Sequence, residues 1–166
     1  MLYFTAMGEE RREPELDELR AWAEQVATYF MRLSGWPPIT GRALGWLMVC
    51  EPREQSAANI AEAIRASRAS LTGTLRMLTL SKLVQAVTRP GERTTYYRIA
   101  DDAWATVLRQ RFAGLAEFLD ITRRGRAMFP EGSPRAARVL AAEDVFRWLV
   151  EEVEPMFERW DAEHRE

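Results

Sequence analysis

The sequence predicts a mainly α-helical fold that contains one small β-hairpin. Apolar residues recur at spacings of three and four over most of the chain, which is the period of an amphipathic helix. Only the stretch between Val84 and Ile99 changes to short runs rich in β-branched and aromatic residues, which favour strands. The length of 166 residues and the 47% share of apolar residues suit one domain with a buried core.

The N-terminal part of the chain predicts two helices. The first covers Pro14 to Leu33, where apolar residues form a stripe on one face. Gly35 suits the end of this helix, and the following pair of prolines stops it but can begin the next. The second predicted helix covers Thr40 to Cys50.

Two serines predict two further helices in quick succession. Ser56 is a suitable N-cap for a helix over Ala57–Ile64, and Ser67 is a suitable N-cap for a helix over Arg68–Leu80. About three residues separate these two helices, which is the arrangement of a helix-turn-helix. The second of them has apolar residues at Leu71, Leu75 and Leu78.

A hairpin and two long helices follow. The runs Val84–Thr88 and Thr94–Ile99 predict two strands, and the turn between them contains Pro-Gly and carries arginines at its tip. Asp101 and Asp102 are expected to cap a long helix. The last helix is expected to begin near Arg135, after a connection rich in proline and glycine.

Taken in order, these elements predict a winged helix-turn-helix flanked by N- and C-terminal dimerisation helices. We expect an N-terminal arm and dimerisation helix in residues 1–36, a DNA-binding domain in residues 37–102, and C-terminal dimerisation helices in residues 103–166.

Charge is segregated along the chain. The whole sequence has a net charge of −2, but the stretch from Arg65 to Arg98 contains seven cations and one anion, a local charge of +6, so the other residues sum to −8. Such a split suggests that one basic element faces nucleic acid while the acidic remainder of the chain is turned away from it. A basic face that is merely exposed to solvent is an equally open interpretation.

The helix after the turn is the expected DNA-reading element. Side chains near the N-terminus of such a helix project toward base edges in the major groove, and a hairpin tip reaches phosphates or the minor groove. Arg68 suits a bidentate contact with guanine, and small residues such as Gly73 allow a close approach. The residues expected to contact DNA from this helix are Ser67, Arg68, Ser70, Thr72, Thr74 and Arg76.

The stretches 56–64, 67–78 and 82–84 resemble the DNA-binding core of MarR-type regulators, and the GbsR-like branch is the most similar. The resemblance implies a winged helix, a two-fold dimer built by the terminal helices, a base-reading role for the serines, threonines and arginine at 67–74, and a wing role for Arg89 and Arg93. The sequence departs from the family pattern at Lys82, where glycine is usual.

Aromatic residues raise two further expectations. Aromatic stripes in the first and last helices favour a homodimer, because a thin monomer covers them poorly. An aromatic pocket for a small-molecule effector could lie between the DNA-reading lobes and the dimer helices, although core packing is the simpler interpretation for each residue. The candidates for this pocket are Trp36, Trp46, Trp104 and Phe112.

Several classes of function are disfavoured. One cysteine, Cys50, and one histidine cannot complete a zinc site of four Cys/His ligands, and no cofactor or metal is expected. No nucleotide-binding, metalloprotease or hydrolase motif is present, so an enzyme is not expected. No apolar run is long enough for a membrane span, which favours the cytoplasm.

The sequence therefore predicts a transcriptional regulator, expected to be a repressor, that binds double-stranded DNA as a homodimer on a pseudo-palindromic operator and is released by a small-molecule effector. The alternative is a winged-helix module that binds protein without specific DNA binding.

Overall fold

The computed structural model describes residues 12–164, and the first part of the expected N-terminal arm, residues 1–11, lies outside the described residues. The described chain forms two compact units, one ending at Ala100 and the other beginning at Asp101. The fold is mostly helical with one small antiparallel sheet, which confirms the predicted fold class.

The described residues of the first unit form four helices and three strands. In chain order these are α1 (Leu16–Ser34), α2 (Pro38–Val49), β1 (Gln55–Ser56), α3 (Ala57–Ala63), α4 (Arg68–Leu80), β2 (Val84–Thr88) and β3 (Thr95–Ile99). The two serine caps are confirmed, because the side chain of Ser56 accepts a hydrogen bond from the backbone of Asn59 and that of Ser67 accepts one from Ser70.

The sheet has the order β1-β3-β2. The predicted hairpin is confirmed as β2 and β3, which pair antiparallel from Val84↔Ile99 to Thr88↔Thr95. Strand β1 adds Gln55↔Tyr97 and Ser56↔Tyr96 on the other side of β3. Sequence analysis did not predict β1, because two residues are too few to show a period-two pattern.

Helix α2 lies at the centre of the first unit, since nearly all of its residues from Thr40 to Leu47 are buried. Its closest neighbour is α1, and the two helices meet through small residues. A Cβ atom added at Gly41 would lie 2.4 Å from the Cα of Ala27, and one added at Gly45 would lie 2.8 Å from the Cα of Ala23. The two backbones can approach this closely only because these α2 positions carry no side chain.

The backbone conformation at Lys82 explains why glycine is usual at this position in the family pattern. Lys82 has φ +60°, in the left-handed region, two residues after the end of α4. Glycine adopts this conformation without the steric cost that a Cβ atom adds, so it is the usual residue at such a helix end. The lysine keeps the conformation, and Leu83 and Val84 that follow it are buried.

The second unit contains α5 (Ala103–Ala127) and α6 (Pro134–His164), which pack against each other. Phe118 and Phe146 lie with their ring centroids 4.5 Å apart, and Arg126 donates a 2.8 Å hydrogen bond to the buried carboxylate of Glu143. The two long helices agree with the prediction. Asp102 stands at the N-cap of α5, but its carboxylate makes no capping hydrogen bond to the helix backbone and accepts instead from the hydroxyl of Thr106.

The contact between α1 and α2 predicts a large effect for a single methyl group. We expect Gly41→Ala to lower the free energy of unfolding by about 1–3 kcal/mol, because the new Cβ would overlap backbone that must move away. Urea denaturation measures the change. The matched control is Gly114→Ala in α5, where an added Cβ meets nothing within 4 Å. That variant is expected to gain roughly 0.5–1 kcal/mol, and equal stability of the two variants would contradict the packing described here.

Candidate nucleic-acid interface

Helix α4 has one side in the core and the other side in solvent. Leu71, Leu75 and Leu78 are each at most 2% exposed and hold the helix on the rest of the first unit. The opposite side carries Arg68, Thr72, Gly73 and Arg76, all of which are exposed. The surface that α4 offers to solvent is therefore polar, basic and free of large apolar side chains near its N-terminus.

The two arginines of α4 have unused hydrogen-bond donors. The guanidinium groups of Arg68 and Arg76 make no hydrogen bond or ion pair with any residue of the described range 12–164. Each guanidinium presents five N–H donors in a fixed planar geometry that matches guanine O6 and N7 or a phosphate. These side chains can therefore bind DNA without first breaking a contact within the described chain.

The hydroxyl groups of α4 are bonded locally. Ser67 Oγ accepts from the Ser70 backbone at 3.2 Å, Ser70 Oγ donates to the Ser67 carbonyl at 2.8 Å, and Thr72 Oγ1 donates to the Arg68 carbonyl at 3.2 Å. All three residues are exposed. The hydroxyl groups of Ser70 and Thr72 must give up these bonds before they can donate to a ligand, whereas the guanidinium groups of Arg68 and Arg76 need not.

Thr74 does not lie on the solvent side. It is 5% exposed, and its Oγ1 donates to the Ser70 carbonyl at 3.1 Å. The structure therefore does not bring Thr74 together with the other candidate DNA contacts. The sequence carried a signal for this placement, because Thr74 stands three residues after Leu71 and four before Leu78 and so belongs to the buried stripe.

The two wing arginines lie in different surroundings. Arg89 Nη2 donates to Glu54 Oε2 at 2.8 Å, and its guanidinium lies 4.4 Å from the centroid of the Tyr96 ring. Glu92 adds a second carboxylate 4.0 Å from Arg89. Arg93, in contrast, is exposed and makes no ion pair or hydrogen bond within the described chain.

Tyr96 completes the contacts around Arg89. Its hydroxyl donates to Glu92 Oε2 at 2.9 Å, and this hydrogen bond to a carboxylate raises the pKa of the Tyr96 phenol. Sequence analysis did not single out Glu54, Glu92 or Tyr96. No signal for Glu54 was available, because its position depends on strand β1.

The four aromatic residues proposed for an effector pocket do not form one cluster within either unit. In the first unit, Trp36 stacks on Phe30 with ring centroids 4.6 Å apart, whereas Trp46 lines a separate cavity. In the second unit, Trp104 lines a cavity of about 370 Å³ together with Trp160, and Phe112 contacts Phe157 at 6.1 Å between centroids.

The cavity beside Trp46 has a volume of about 270 Å³ and is lined mainly by charged residues. Its lining residues are Arg20, Ala23, Glu24, Arg42, Trp46, Ile64 and Arg65. Trp46 is 8% exposed, and its indole Nε1 is buried without a hydrogen-bond partner.

The arginines of this cavity are bonded to different extents. Arg42 forms two hydrogen bonds with Glu24, at 2.5 and 2.9 Å, and they lower the pKa of that carboxyl group. Arg20 donates to the carbonyl of Ala63 at 2.7 Å and to Asp17 at 2.9 Å. Arg65 has only a 3.7 Å ion pair with Asp17 within the described residues, so most of its donors are free.

Cys50 is buried, and burial raises the pKa of its thiol to about 11. The reactive form of cysteine is the thiolate, so this thiol is inert at neutral pH. The structure therefore favours a packing role for Cys50 over a redox role.

Two kinds of feature are absent from the described part of the chain. Residues 12–164 contain no group of three or more His, Cys, Asp or Glu side chains arranged to hold a metal ion. No helix in the same range is both long and apolar enough to cross a membrane.

Comparisons with known proteins agree on one family. A family model described as "MmpR5-like MarR family transcriptional regulator" matches residues 102–163. The HTH-type transcriptional regulator MmpR5 of Mycobacterium tuberculosis (strain ATCC 25618 / H37Rv) is 33% identical over 128 residues, which are 77% of this chain and 75% of that protein. A solved crystal structure of a transcriptional regulator aligns with a TM-score of 0.69 and 28% identity, covering 87% of this chain and 99% of the other.

Proposed function

The chain belongs to the MarR family of DNA-binding transcriptional regulators, and on this premise we propose that it is a cytoplasmic repressor that binds a pseudo-palindromic operator as a homodimer. The observation that carries the proposal is the solvent side of α4, where Arg68 and Arg76 stand exposed without partners in the described chain. We place α4 in the major groove and the tip of the β2–β3 hairpin over the adjacent backbone.

The roles of the candidate residues follow from their surroundings. Arg68, next to the N-cap of α4, is assigned to a guanine, because its free guanidinium can bind O6 and N7 together. Arg76 and Arg93 are assigned to phosphates, and Ser67, Ser70 and Thr72 support them with hydroxyl contacts. The likeness described above is to MmpR5, and the GbsR-like branch stays a prediction that no part of this proposal uses.

A homodimer is supported by the apolar surface that each unit exposes. Large apolar side chains that are more than a third exposed lie on α1, α5 and α6, and exposed apolar side chains of this size are often covered at a protein interface. They are Leu16, Trp22, Tyr29, Met31 and Leu33 on α1, Trp104, Leu108, Phe118 and Ile121 on α5, and Leu140, Val145, Trp148, Met156 and Trp160 on α6. A second copy of the chain would cover such surfaces and would present two copies of α4 to half-sites about one helical turn, ~34 Å, apart.

An effector is the remaining part of the proposal. We assign it to the cavity beside Trp46, whose lining carries three arginines and one glutamate. A small carboxylate with an apolar body suits this lining, because Arg65 has free donors and Ala23 and Ile64 offer apolar contact. Arg65 precedes the N-cap of α4 by two residues, so a ligand bound to it is close enough to disturb the turn between α3 and α4.

Operator binding tests the DNA-binding part of the proposal. Anisotropy titrations with DNA from upstream of the coding sequence and with a scrambled duplex, over about 50–300 mM salt, are expected to show two chains per duplex and a preference of about a thousandfold. Arg68→Ala is expected to cost about 1–3 kcal/mol on the operator and to relax specificity at one base pair, because base reading is lost. Arg93→Ala should weaken binding to both duplexes alike and flatten the salt slope by about one.

The matched control for these titrations is Arg32→Ala, which removes an exposed arginine from the end of α1. This variant is expected to bind like the unchanged protein. Operator binding that is specific but equally insensitive to Arg68→Ala and Arg32→Ala would contradict the base-reading role. A protein that never prefers one duplex over another would support the alternative of a protein-binding module.

The effector site is tested by ¹⁵N-tryptophan NMR without DNA. Benzoate is expected to shift the indole N–H signal of Trp46 in a saturable way, whereas benzyl alcohol, which lacks the carboxylate, is not; Trp46→Phe assigns the signal. Arg65→Gln should weaken benzoate binding at least about threefold, because a charge-assisted hydrogen bond is lost, and Arg32→Gln should not. An equal shift with benzyl alcohol, or benzoate binding unaffected by Arg65→Gln, would exclude this site.

A further inference from the structure

Glu54 and Arg89 meet on one face of the small sheet although 35 residues separate them in sequence. Strand β3 lies between β1 and β2, and Tyr96 pairs with Ser56 on one side and with Val87 on the other. Side chains alternate between the two faces of a sheet, so the positions two residues before Ser56 and two after Val87 share the face of Tyr96. Those positions are Glu54 and Arg89.

The guanidinium of Arg89 is directed along this face of the sheet, toward Tyr96 and Glu54. It lies 4.4 Å from the Tyr96 ring centroid and 2.8 Å from the Glu54 carboxylate. A ring face on one side and a charge-assisted hydrogen bond on another both stabilise a cation in this place. Binding of a phosphate by Arg89 would require these contacts to be given up.

The charge around Arg89 is also unfavourable for phosphate. Glu54 and Glu92 lie 2.8 and 4.0 Å from the guanidinium, so one cation stands between two anions and the group carries a net charge of −1. Arg93, four residues further along the same turn, has no carboxylate partner in the described chain. The turn between β2 and β3 therefore offers one free cation, Arg93, and one screened cation, Arg89.

We infer that Glu54 is a positioning residue of the wing, which holds Arg89 on the sheet and so lowers the affinity for DNA of any sequence. Binding at phosphates is blind to sequence, so an additional free arginine would strengthen nonspecific and specific complexes together. Screening Arg89 therefore weakens the binding of phosphates by the wing while the base contacts of α4 are unchanged. This inference rests on the proposed function, because it requires the wing to lie against DNA.

The test uses the full-length protein and a scrambled duplex of about 30 base pairs, titrated over about 50–300 mM salt. Glu54→Gln is expected to bind this duplex about threefold to tenfold more tightly. The slope of log K against log salt should become steeper by about 0.9 for each released arginine that reaches a phosphate. If the contact between Glu54 and Arg89 served only the fold, its loss would not raise the number of counterions released on DNA binding, and the slope would not become steeper.

Two control variants distinguish loss of the contact between Glu54 and Arg89 from loss of a negative charge. Glu51→Gln removes the same charge from a nearby side chain that is exposed and makes no ion pair or hydrogen bond within the described residues. The salt slope of this variant should therefore equal that of the parent protein. In an Arg89→Gln background, Glu54→Gln should have no further effect, because the group that it releases is gone. A steeper slope for Glu51→Gln, an effect of Glu54→Gln that persists in that background, or no tightening at all would each overturn the inference.

A separate measurement checks that each variant folds. Thermal unfolding of each variant is expected to match the parent protein, because a partly exposed ion pair contributes little to stability. If Glu54→Gln fails to fold, Glu54→Asp serves in its place, since it keeps the charge but is too short to hold Arg89 at the same distance. The scrambled duplex requires no operator, so failure to find an operator defeats the proposed function without deciding the role of Glu54.

Discussion

Leu71, Leu75 and Leu78 hold one side of α4 in the core of the first unit, and the surface that the protein offers to DNA depends on this contact. Because an α-helix turns once in 3.6 residues, burial of these three positions decides which of the others can face solvent. Arg68 and Arg76 lie outside the buried stripe and Thr74 lies within it. The same rotation of the helix thus leaves some of its polar residues exposed for the proposed contacts with bases and buries another in the core.

The electrostatics of the protein are local. A net charge of −2 gives no general attraction to DNA, so binding must come from a few arginines that acidic residues do not occupy. Arg68, Arg76 and Arg93 meet this condition in the described chain, whereas Arg89 is held by Glu54 and Arg42 by Glu24. Counting cations along the sequence therefore overestimates the basic surface, because ion pairs with distant residues remove part of it.

The elements that follow from local rules were predictable. The caps at Ser56 and Ser67, the bounds of α4 and the hairpin strands depend on residues within a few positions of each other, and the structure has them as the sequence predicts. Contacts between distant segments were not predictable. Strand β1 needs β3 as a partner, and Arg89 was assigned to the wing without knowledge of Glu54, which β1 brings to it. Trp46 was expected in an aromatic pocket, but the packing of α1 and α2 places it beside arginines.

Arg68 is proposed to read a guanine from the major groove, and methylation interference examines this contact at a single atom. Methylation of guanine N7 blocks the acceptor that Arg68 is proposed to use. With the unchanged protein we expect interference at one guanine in each half-site, and with Arg68→Ala we expect the loss of this signal while interference at every other position persists. An interference pattern that is the same for both proteins would contradict the account.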